Sequence, residues 1–353
     1  MWTTVRSKQQ PSNRRKFAAT APSGRGLETS PMGEGTLPVS SRRVSSEVKS
    51  LREAARALGS MSFIQRDVVI PLKKFLHERA GALDNVHIVA LGIGPFSLRE
   101  SPPGFLQMAL LLLIRTVCER FMLRLAKQKS SPSLCTVFEE ASSSRDAGLE
   151  AAKKTVTSTF FDPAVTDLHV KCCDRLGVTV DSCNRYGMYT PSGSHSLLIA
   201  YLPHTPWALL RNLLVSNLVP YNPLVDGTGS QERLEYLLLR HVLIIGNDVH
   251  GKVCASGEFL ERIGTYLRSG ALRWKDDWKK HAPSADDSGS DDGILDVPAG
   301  TPTGPRGVGR HDIALAFSDT AVMQLDTERE SQLLLDLRRL RLPKIVRSGD
   351  ELS

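Results

Sequence analysis

The stretch Val86-His87-Ile88-Val89-Ala90-Leu91-Gly92-Ile93-Gly94-Pro95 decides the fold class of this chain. It is an apolar run, rich in β-branched residues, that stops abruptly at two glycines and a proline. A short apolar run with such a boundary predicts a buried strand. Three further runs have the same form, and helical patterns separate them: Thr159–Phe161, Leu197–Leu202 and Val242–Ile245. Buried strands that alternate with helices indicate a parallel α/β sheet.

The predicted architecture is an α/β domain with a Rossmann-like, open and mostly parallel sheet that is flanked by helices. In such a sheet the carboxyl ends of the strands lie along one edge, and ligands bind at that edge. Each of the four runs is followed there by glycine, proline or polar residues, so this edge is the predicted ligand pocket. Its candidate residues are Gly92, Gly94, Pro95, Ser97, Asp162, Pro203, His204, Gly246 and Asn247.

Two asparagines, Asn212 and Asn217, are further candidates because they lie in the apolar helix predicted over Pro206–Leu218. A buried amide is costly unless it is hydrogen-bonded. We interpret the pair as a structural network that ties this helix to neighbouring loops, including Gly246-Asn247, rather than as catalytic groups.

Each motif also has a simpler interpretation. Gly92-Ile93-Gly94 is half of a dinucleotide fingerprint, but Ser97 replaces the third glycine, and turn formation alone explains the other two. Asp162 stands where a ribose-binding acid would follow a strand, but Pro163 behind it favours a helix N-cap. His204 suits an acid, a base, or a metal or haem ligand. No second ligand has a diagnostic spacing, which favours a histidine that is hydrogen-bonded to backbone.

Composition divides the chain into five parts. They are a disordered basic tail over 1–44, the main α/β domain over 45–270 with a surface insertion at 127–156, a flexible acidic Ser/Gly/Pro linker over 271–310, a closing element over 311–326, and a basic amphipathic helix and tail over 327–353. Ile313–Phe317 in the closing element is predicted as an added strand. Helical patterns also predict helices around Gln231–Leu239 and over Glu258–Leu267.

The net charge of +7 lies largely in the two tails, which argues against nucleic acid as the primary partner. The six cysteines show no C-x-x-C pair and no zinc-ligand spacing, and this usage fits a reducing compartment. No secretory signal or bilayer-spanning run is visible, so we expect the protein in the cytoplasm, the nucleus or both. The start of the chain loosely resembles a mitochondrial transit peptide, but Pro11 and Pro22 interrupt any amphipathic helix there.

Taken in order, the motifs resemble those of the Sensitivity to Red Light Reduced (SRR-like) domain family. The matching pieces are Ile88–Ser97, the helix start that contains Gln107, Phe161-Asp162-Pro163, Leu176-Gly177-Val178, Leu202-Pro203-His204, Leu209–Leu218 with Asn212 and Asn217, Ile244–Asn247 and Ala316–Thr320. Their order and spacing together make the resemblance specific. The chain departs from the family at three places: Thr205 replaces a thiol, Leu218 replaces an aromatic residue, and Asp248-Val249 replaces a Ser-Phe pair.

The resemblance implies a regulatory rather than a catalytic role, linked to light and circadian signalling in plants and to haem metabolism and cytoskeletal stability in fungi and animals. It implies no established reaction. Three hypotheses remain open. The first is a regulatory protein that acts through a protein partner or a bound small molecule. The second is a nucleotide- or S-adenosylmethionine-dependent enzyme with His204 as acid or base, and the third is a haem sensor or chaperone that uses His204 with Cys172 or Cys173.

Overall fold

The computed structural model describes residues 39–130, 154–221, 236–250, 258–275 and 308–347. Most of the predicted basic tail, the centre of the predicted insertion, most of the predicted acidic linker and the last residues of the chain lie outside these ranges. Within them, no helix is both long and apolar enough to cross a membrane.

One large sheet forms the centre of the described structure. The strands are β1 (Asn85–Leu91), β2 (Thr155–Phe161), β3 (Thr179–Val180), β4 (Ser196–Leu202), β5 (Pro220–Tyr221), β6 (Tyr236–Leu237), β7 (Val242–Asn247), β8 (Leu267–Ala271) and β9 (Thr320–Leu325). Seven of them build the sheet in the order β3-β2-β1-β4-β7-β9-β8, whereas β5 and β6 form a separate antiparallel ribbon. The first five of that order run parallel, and β9 is antiparallel to both of its neighbours. The predicted α/β, mostly parallel Rossmann-like sheet is therefore confirmed.

Helices flank this sheet. They are α1 (Ser41–Ser60), α2 (Ser62–Ile64), α3 (Ile70–His77), α4 (Pro102–Ser130), α5 (Asp167–Leu176), α6 (Trp207–Asn217), α7 (Glu258–Gly264), α8 (Arg310–Phe317) and α9 (Glu330–Leu337). A π-helical turn, Gln65–Val69, joins α2 to α3. Helix α1 begins at Ser41, inside the range assigned to the basic tail, because the Ser40 side chain accepts the Arg43 amide and caps the first turn.

The sheet is covered on both faces because its side chains alternate between two apolar cores. On one face, Ile88 and Tyr201 pack with residues of α1, α3, α4, α5 and α8. On the other face, Val89 and Leu91 pack with residues of α6, α7 and α9. Residues 105–111 of α4 are all buried, as expected of a helix that is apolar on every side.

The predicted strand in the closing element is wrong. Ile313, Ala316 and Phe317 are buried at helical spacing in α8, and the closing strand is β9. A short apolar run does not by itself distinguish a strand from a buried helix.

Two predicted helices also have different ends in the structure. The described part of the range around 231–239 forms β6 and the start of a 3-10 turn, Leu238–His241, rather than a helix. The helix predicted up to Leu267 ends at Gly264, and Leu267 begins β8. In β8 only Leu267 is buried, so this edge strand carries almost no hydrophobic pattern.

Candidate functional site

The loop after β1 turns at two glycines in the left-handed region. Gly92 has a φ of 72° and Gly94 a φ of 73°, which residues with a Cβ rarely adopt. A Cβ on Gly92 would also lie 2.5 Å from Cγ2 of Thr205, whereas nothing lies within 4 Å of the same position on Gly94. Gly92 therefore allows the loops after β1 and β4 to touch, and Gly94 is required only by its backbone conformation.

Asp162 follows β2 directly and fastens the same loop. One of its carboxylate oxygens accepts the Gly94 amide at 2.8 Å, and the other accepts the Ala164 amide at 2.9 Å. The pairing of β1 with β2 brings these groups together. The predicted N-cap role of Asp162 is wrong, because α5 begins only at Asp167 and its N-cap is Thr166.

Strand β4 is followed by Pro203-His204-Thr205. Pro203 and Thr205 are buried, whereas His204 is exposed and has a left-handed φ of 49°. Its Nε2 lies 3.2 Å from the carbonyl oxygen of Ala316 in α8. A carbonyl oxygen only accepts, so this contact places the imidazole hydrogen on Nε2. The same oxygen accepts the side-chain amide of Gln107 at 3.1 Å, which joins α4, α8 and the loop after β4.

The end of β7 is joined to the same loop. The Asn247 Nδ2 donates to the Thr205 carbonyl oxygen at 2.7 Å. Gly246 passes so close to β4 that a Cβ on it would lie 2.8 Å from the Leu202 carbonyl oxygen. In the loop after β1, Pro95 is exposed and Ser97 is buried. The carbonyl oxygen of Ser97 accepts a hydrogen bond from the Ser101 amide at 2.8 Å. We name the connected set the strand-end rim; it consists of Gly92–Ser97, Asp162, Pro203–Thr205 and Gly246-Asn247.

Asn212 and Asn217 do not belong to this rim. The Asn212 Nδ2 donates to the carbonyl oxygens of Tyr186 at 2.8 Å and Val346 at 2.7 Å. The Asn217 Nδ2 donates to the Tyr189 carbonyl oxygen at 2.8 Å. The two amides therefore tie α6 to the loop before β4 and to the segment around Val346, not to Gly246-Asn247 as predicted.

His169 of α5 supports the rim, although the sequence analysis did not single it out. The buried Nε2 accepts the Phe96 amide at 3.2 Å, and Nδ1 lies 2.9 Å from the Thr166 hydroxyl. The Thr166 amide also donates to Nδ1 at 3.1 Å, so backbone N–H groups face both ring nitrogens. Burial lowers the pKa of His169, and protonation would put a hydrogen on both nitrogens, each of which faces a backbone N–H. The three-residue spacing from Thr166, which is that of a capping box, was the available signal.

Three polar side chains of the strand-end rim, those of Asp162, His204 and Asn247, are hydrogen-bonded to the protein's own backbone. Within the described ranges, no group of three His, Cys, Asp or Glu side chains is placed to hold a metal ion. Cys172 and Cys173 are buried in the core, where burial raises the pKa of their thiols to about 11 and about 12. The rim is therefore built as a joint between loops, with His204 at its surface.

Two cavities lie away from the rim. One of about 530 Å³ is located at the opposite ends of the strands and is lined by Leu83, His195 and His241 among others. Burial, with Arg79 and Arg240 nearby, lowers the pKa of His241 to about 4. The other cavity, of about 610 Å³, lies between α1, α3 and α4. No residue of the strand-end rim lines either cavity.

These features define a class, namely a Rossmann-like α/β protein whose strand ends are joined through backbone hydrogen bonds. A model of the SRR1 domain matches residues 72–257, which is just over half of the chain. The chain therefore belongs to the SRR1 domain family, which confirms the resemblance of its motifs. No curated protein and no solved structure matches the chain. The match begins inside α3, so α1 and α2 precede the matched domain.

Proposed function

We propose that this SRR1-domain protein is regulatory and acts by binding, mainly to a protein partner, in the cytoplasm or the nucleus. The observation that carries this proposal is the state of the strand-end rim. Asp162, His204 and Asn247 each form hydrogen bonds with backbone groups of their own chain. The light, circadian and haem-related roles implied by the family resemblance are the proposed settings for such a protein.

A catalytic acid or base has to contact the proton that it moves. His204 is the rim's best candidate for that role; its Nε2–H is bonded to the Ala316 carbonyl oxygen, so Nδ1 is the nitrogen that could exchange a proton with a substrate. Asp162 likewise holds the Gly94 and Ala164 amides with its two oxygens. These contacts give both residues a structural reason to be present, and a reaction is not needed to explain them.

The substitution His204→Gln tests the proposal. A glutamine amide can still donate a hydrogen bond to the Ala316 carbonyl oxygen, but it does not exchange a proton near neutral pH. We expect the full-length variant to restore completely the transcript changes that deletion of the gene causes. A folded variant, verified by thermal melting, that restores none of them would overturn the regulatory proposal in favour of acid–base catalysis by His204.

Binding of a nucleotide or S-adenosylmethionine at the rim is a second candidate. Numbered within the sheet, the strand order is 3-2-1-4-5-7-6 with strand 7 antiparallel, the order found in Rossmann-like S-adenosylmethionine-dependent methyltransferases. In addition, the acid after β2 contacts the glycine turn after β1, as a ribose-binding acid would. The topological switch point between β1 and β4 is the expected position of such a ligand.

Thermal melting with millimolar S-adenosylmethionine, ATP or NAD(P) tests this second candidate. A ligand that binds only the folded chain raises its melting temperature by mass action. The matched control is Asp162→Asn, which removes the carboxylate that would hold ribose hydroxyls. A rise in the wild-type protein that is lost in the control supports the candidate, and no rise with any of the ligands removes it.

A further inference from the structure

The cavity between α1, α3 and α4 has strongly positive walls. We name it the cationic groove. Its lining includes seven charged or titratable basic side chains from these helices: Arg52, Arg56, Lys73, His77, Arg115, Arg120 and Arg124. Glu119 is the single acid among the described lining residues, and Arg115 already bonds it at 2.7 Å. The positive charge of this protein is therefore not confined to its two tails.

The spacing of these cations is unfavourable for the helices that carry them. Arg52 and Arg56 lie four residues apart on α1, and Arg120 and Arg124 lie four residues apart on α4. Like charges at this spacing destabilise a helix by about 0.2–0.5 kcal/mol per pair. Of these four, only Arg52 has a hydrogen bond to another described residue, the Arg175 carbonyl oxygen at 3.3 Å.

The same three helices also carry compensated charges. Lys49 pairs with Glu53 on α1, Lys74 of α3 pairs with Glu78 just after that helix, and Arg115 pairs with Glu119 in the groove lining itself, all at a spacing of four residues. By contrast, the side chains of Arg56, Lys73, Arg120 and Arg124 form no hydrogen bond or ion pair with any other described residue. Four unpaired cations of these helices therefore line the groove.

The floor of the cationic groove is apolar. Ala55, Gly59, Leu112, Leu113 and Val117 contribute to its lining. Two exposed aliphatic side chains are close in sequence to cations of the groove. Ile70, which is 58% exposed, lies one helical turn before Lys73, and Leu123, which is 62% exposed, directly precedes Arg124. An apolar floor between rows of cations matches a helix with an apolar stripe and acidic flanks.

We propose that the cationic groove binds an acidic amphipathic helix of a protein partner. This inference rests on the proposed function, since it specifies the partner's chemistry and where it binds. A concave groove between helices does not enter the major groove of a duplex. Base stacking on single strands uses exposed aromatic side chains. Among the described lining residues, His77 alone is an exposed aromatic ring, because Phe121 is only 6% exposed.

The test uses fluorescence anisotropy with the full-length protein and a designed peptide. The peptide has about 18 residues, leucines on one helical face and glutamates on both sides of that face. A control peptide has the same composition with its leucines scattered. We expect the first peptide to bind about tenfold more tightly than the control, and salt to weaken its binding.

Two matched double variants identify the surface. Arg56→Glu with Arg120→Glu reverses two groove cations, and Lys171→Glu with Lys344→Glu makes the same change in net charge at exposed positions outside the groove. We expect the first variant to lose at least about tenfold in affinity and the second to keep it. Equal losses in both, or tighter binding to phosphatidylserine vesicles or duplex DNA than to the peptide, would overturn the inference.

These outcomes are separate from those of the proposed function. If the wild-type protein does not bind the peptide although His204→Gln restores the transcripts, the groove inference fails and the regulatory proposal stands. If His204→Gln restores nothing although the peptide binds through the groove, the regulatory proposal fails instead, and the groove remains a docking surface.

Discussion

The strand-end rim and the cationic groove differ in whether their polar side chains are hydrogen-bonded within the protein. In the rim, Asp162, His204 and Asn247 are bonded to backbone groups of neighbouring loops. In the groove, Arg56, Lys73, Arg120 and Arg124 form no such contact with described residues. Satisfied polar groups contribute to the folded shape, whereas like charges held close together reduce stability. The comparison indicates that the polar groups of the rim stabilise the fold, whereas the cations of the groove are available to a binding partner.

The largest effect is expected at the glycine that lets two rim loops touch. Gly92→Ala should lower the free energy of unfolding by about 3 kcal/mol, because it adds left-handed strain to a clash with Thr205. Gly94 has nearly the same φ as Gly92, but a Cβ on it would meet no other atom. Gly94→Ala should therefore lower the free energy of unfolding by only about 1 kcal/mol. Urea unfolding of both variants measures the difference. Equal losses would show that the loops after β1 and β4 are not packed against each other.

A smaller loss is expected when the acid of the rim becomes an amide. Asp162→Asn should cost about 1.5 kcal/mol, because one backbone N–H then faces an amide nitrogen instead of an oxygen. The exposed Asp167 in the first turn of α5 provides the control, and Asp167→Asn should cost about 0.5 kcal/mol through the helix dipole alone. Urea unfolding again provides the measurement. If Asp162→Asn lowers the free energy of unfolding no more than Asp167→Asn does, the Asp162 carboxylate does not stabilise the contact between the rim loops.

The rim should also weaken at acidic pH through His169. Burial lowers its pKa in the folded chain below that of the unfolded chain, so the unfolded chain binds more protons in the interval between the two values. The stability that neutral His169 contributes is therefore complete above pH of about 6.5 and is lost as the pH falls below that value. Melting curves between pH 7 and pH 5 should decline less in His169→Gln than in the wild-type protein. Parallel declines would contradict this account.

The smallest effect is expected in the groove, and it has the opposite sign. Arg120→Glu places an acid four residues before Arg124 and should raise the free energy of unfolding by about 0.5 kcal/mol. Arg115→Glu on the same helix should lower it, because Arg115 bonds Glu119 and the Leu176 carbonyl oxygen. Urea unfolding distinguishes the two. Destabilisation by Arg120→Glu would mean that the groove cations contribute to folding after all.

Much of the fold could be predicted because its signals are local. The apolar runs before Gly92, Asp162 and Pro203 end the strands β1, β2 and β4, and the run before Gly246 lies in β7, which continues to Asn247. The errors fall on short elements, α8, β6 and β8, where few residues carry a pattern. The Asp162 cap was wrong because its carboxylate had a second donor available, the Gly94 amide, far away in the chain.

The sequence by itself determined the parallel α/β sheet, the edge at which its polar residues gather and the family to which the chain belongs. Steric preferences and hydrophobic periodicity act over a few residues, so they are visible in the chain. Only the tertiary structure decided that His169 reaches the Phe96 amide, and that Arg56 and Arg120 line one groove. Those relations join residues far apart in sequence, and they exist only because the helices pack on one face of the sheet.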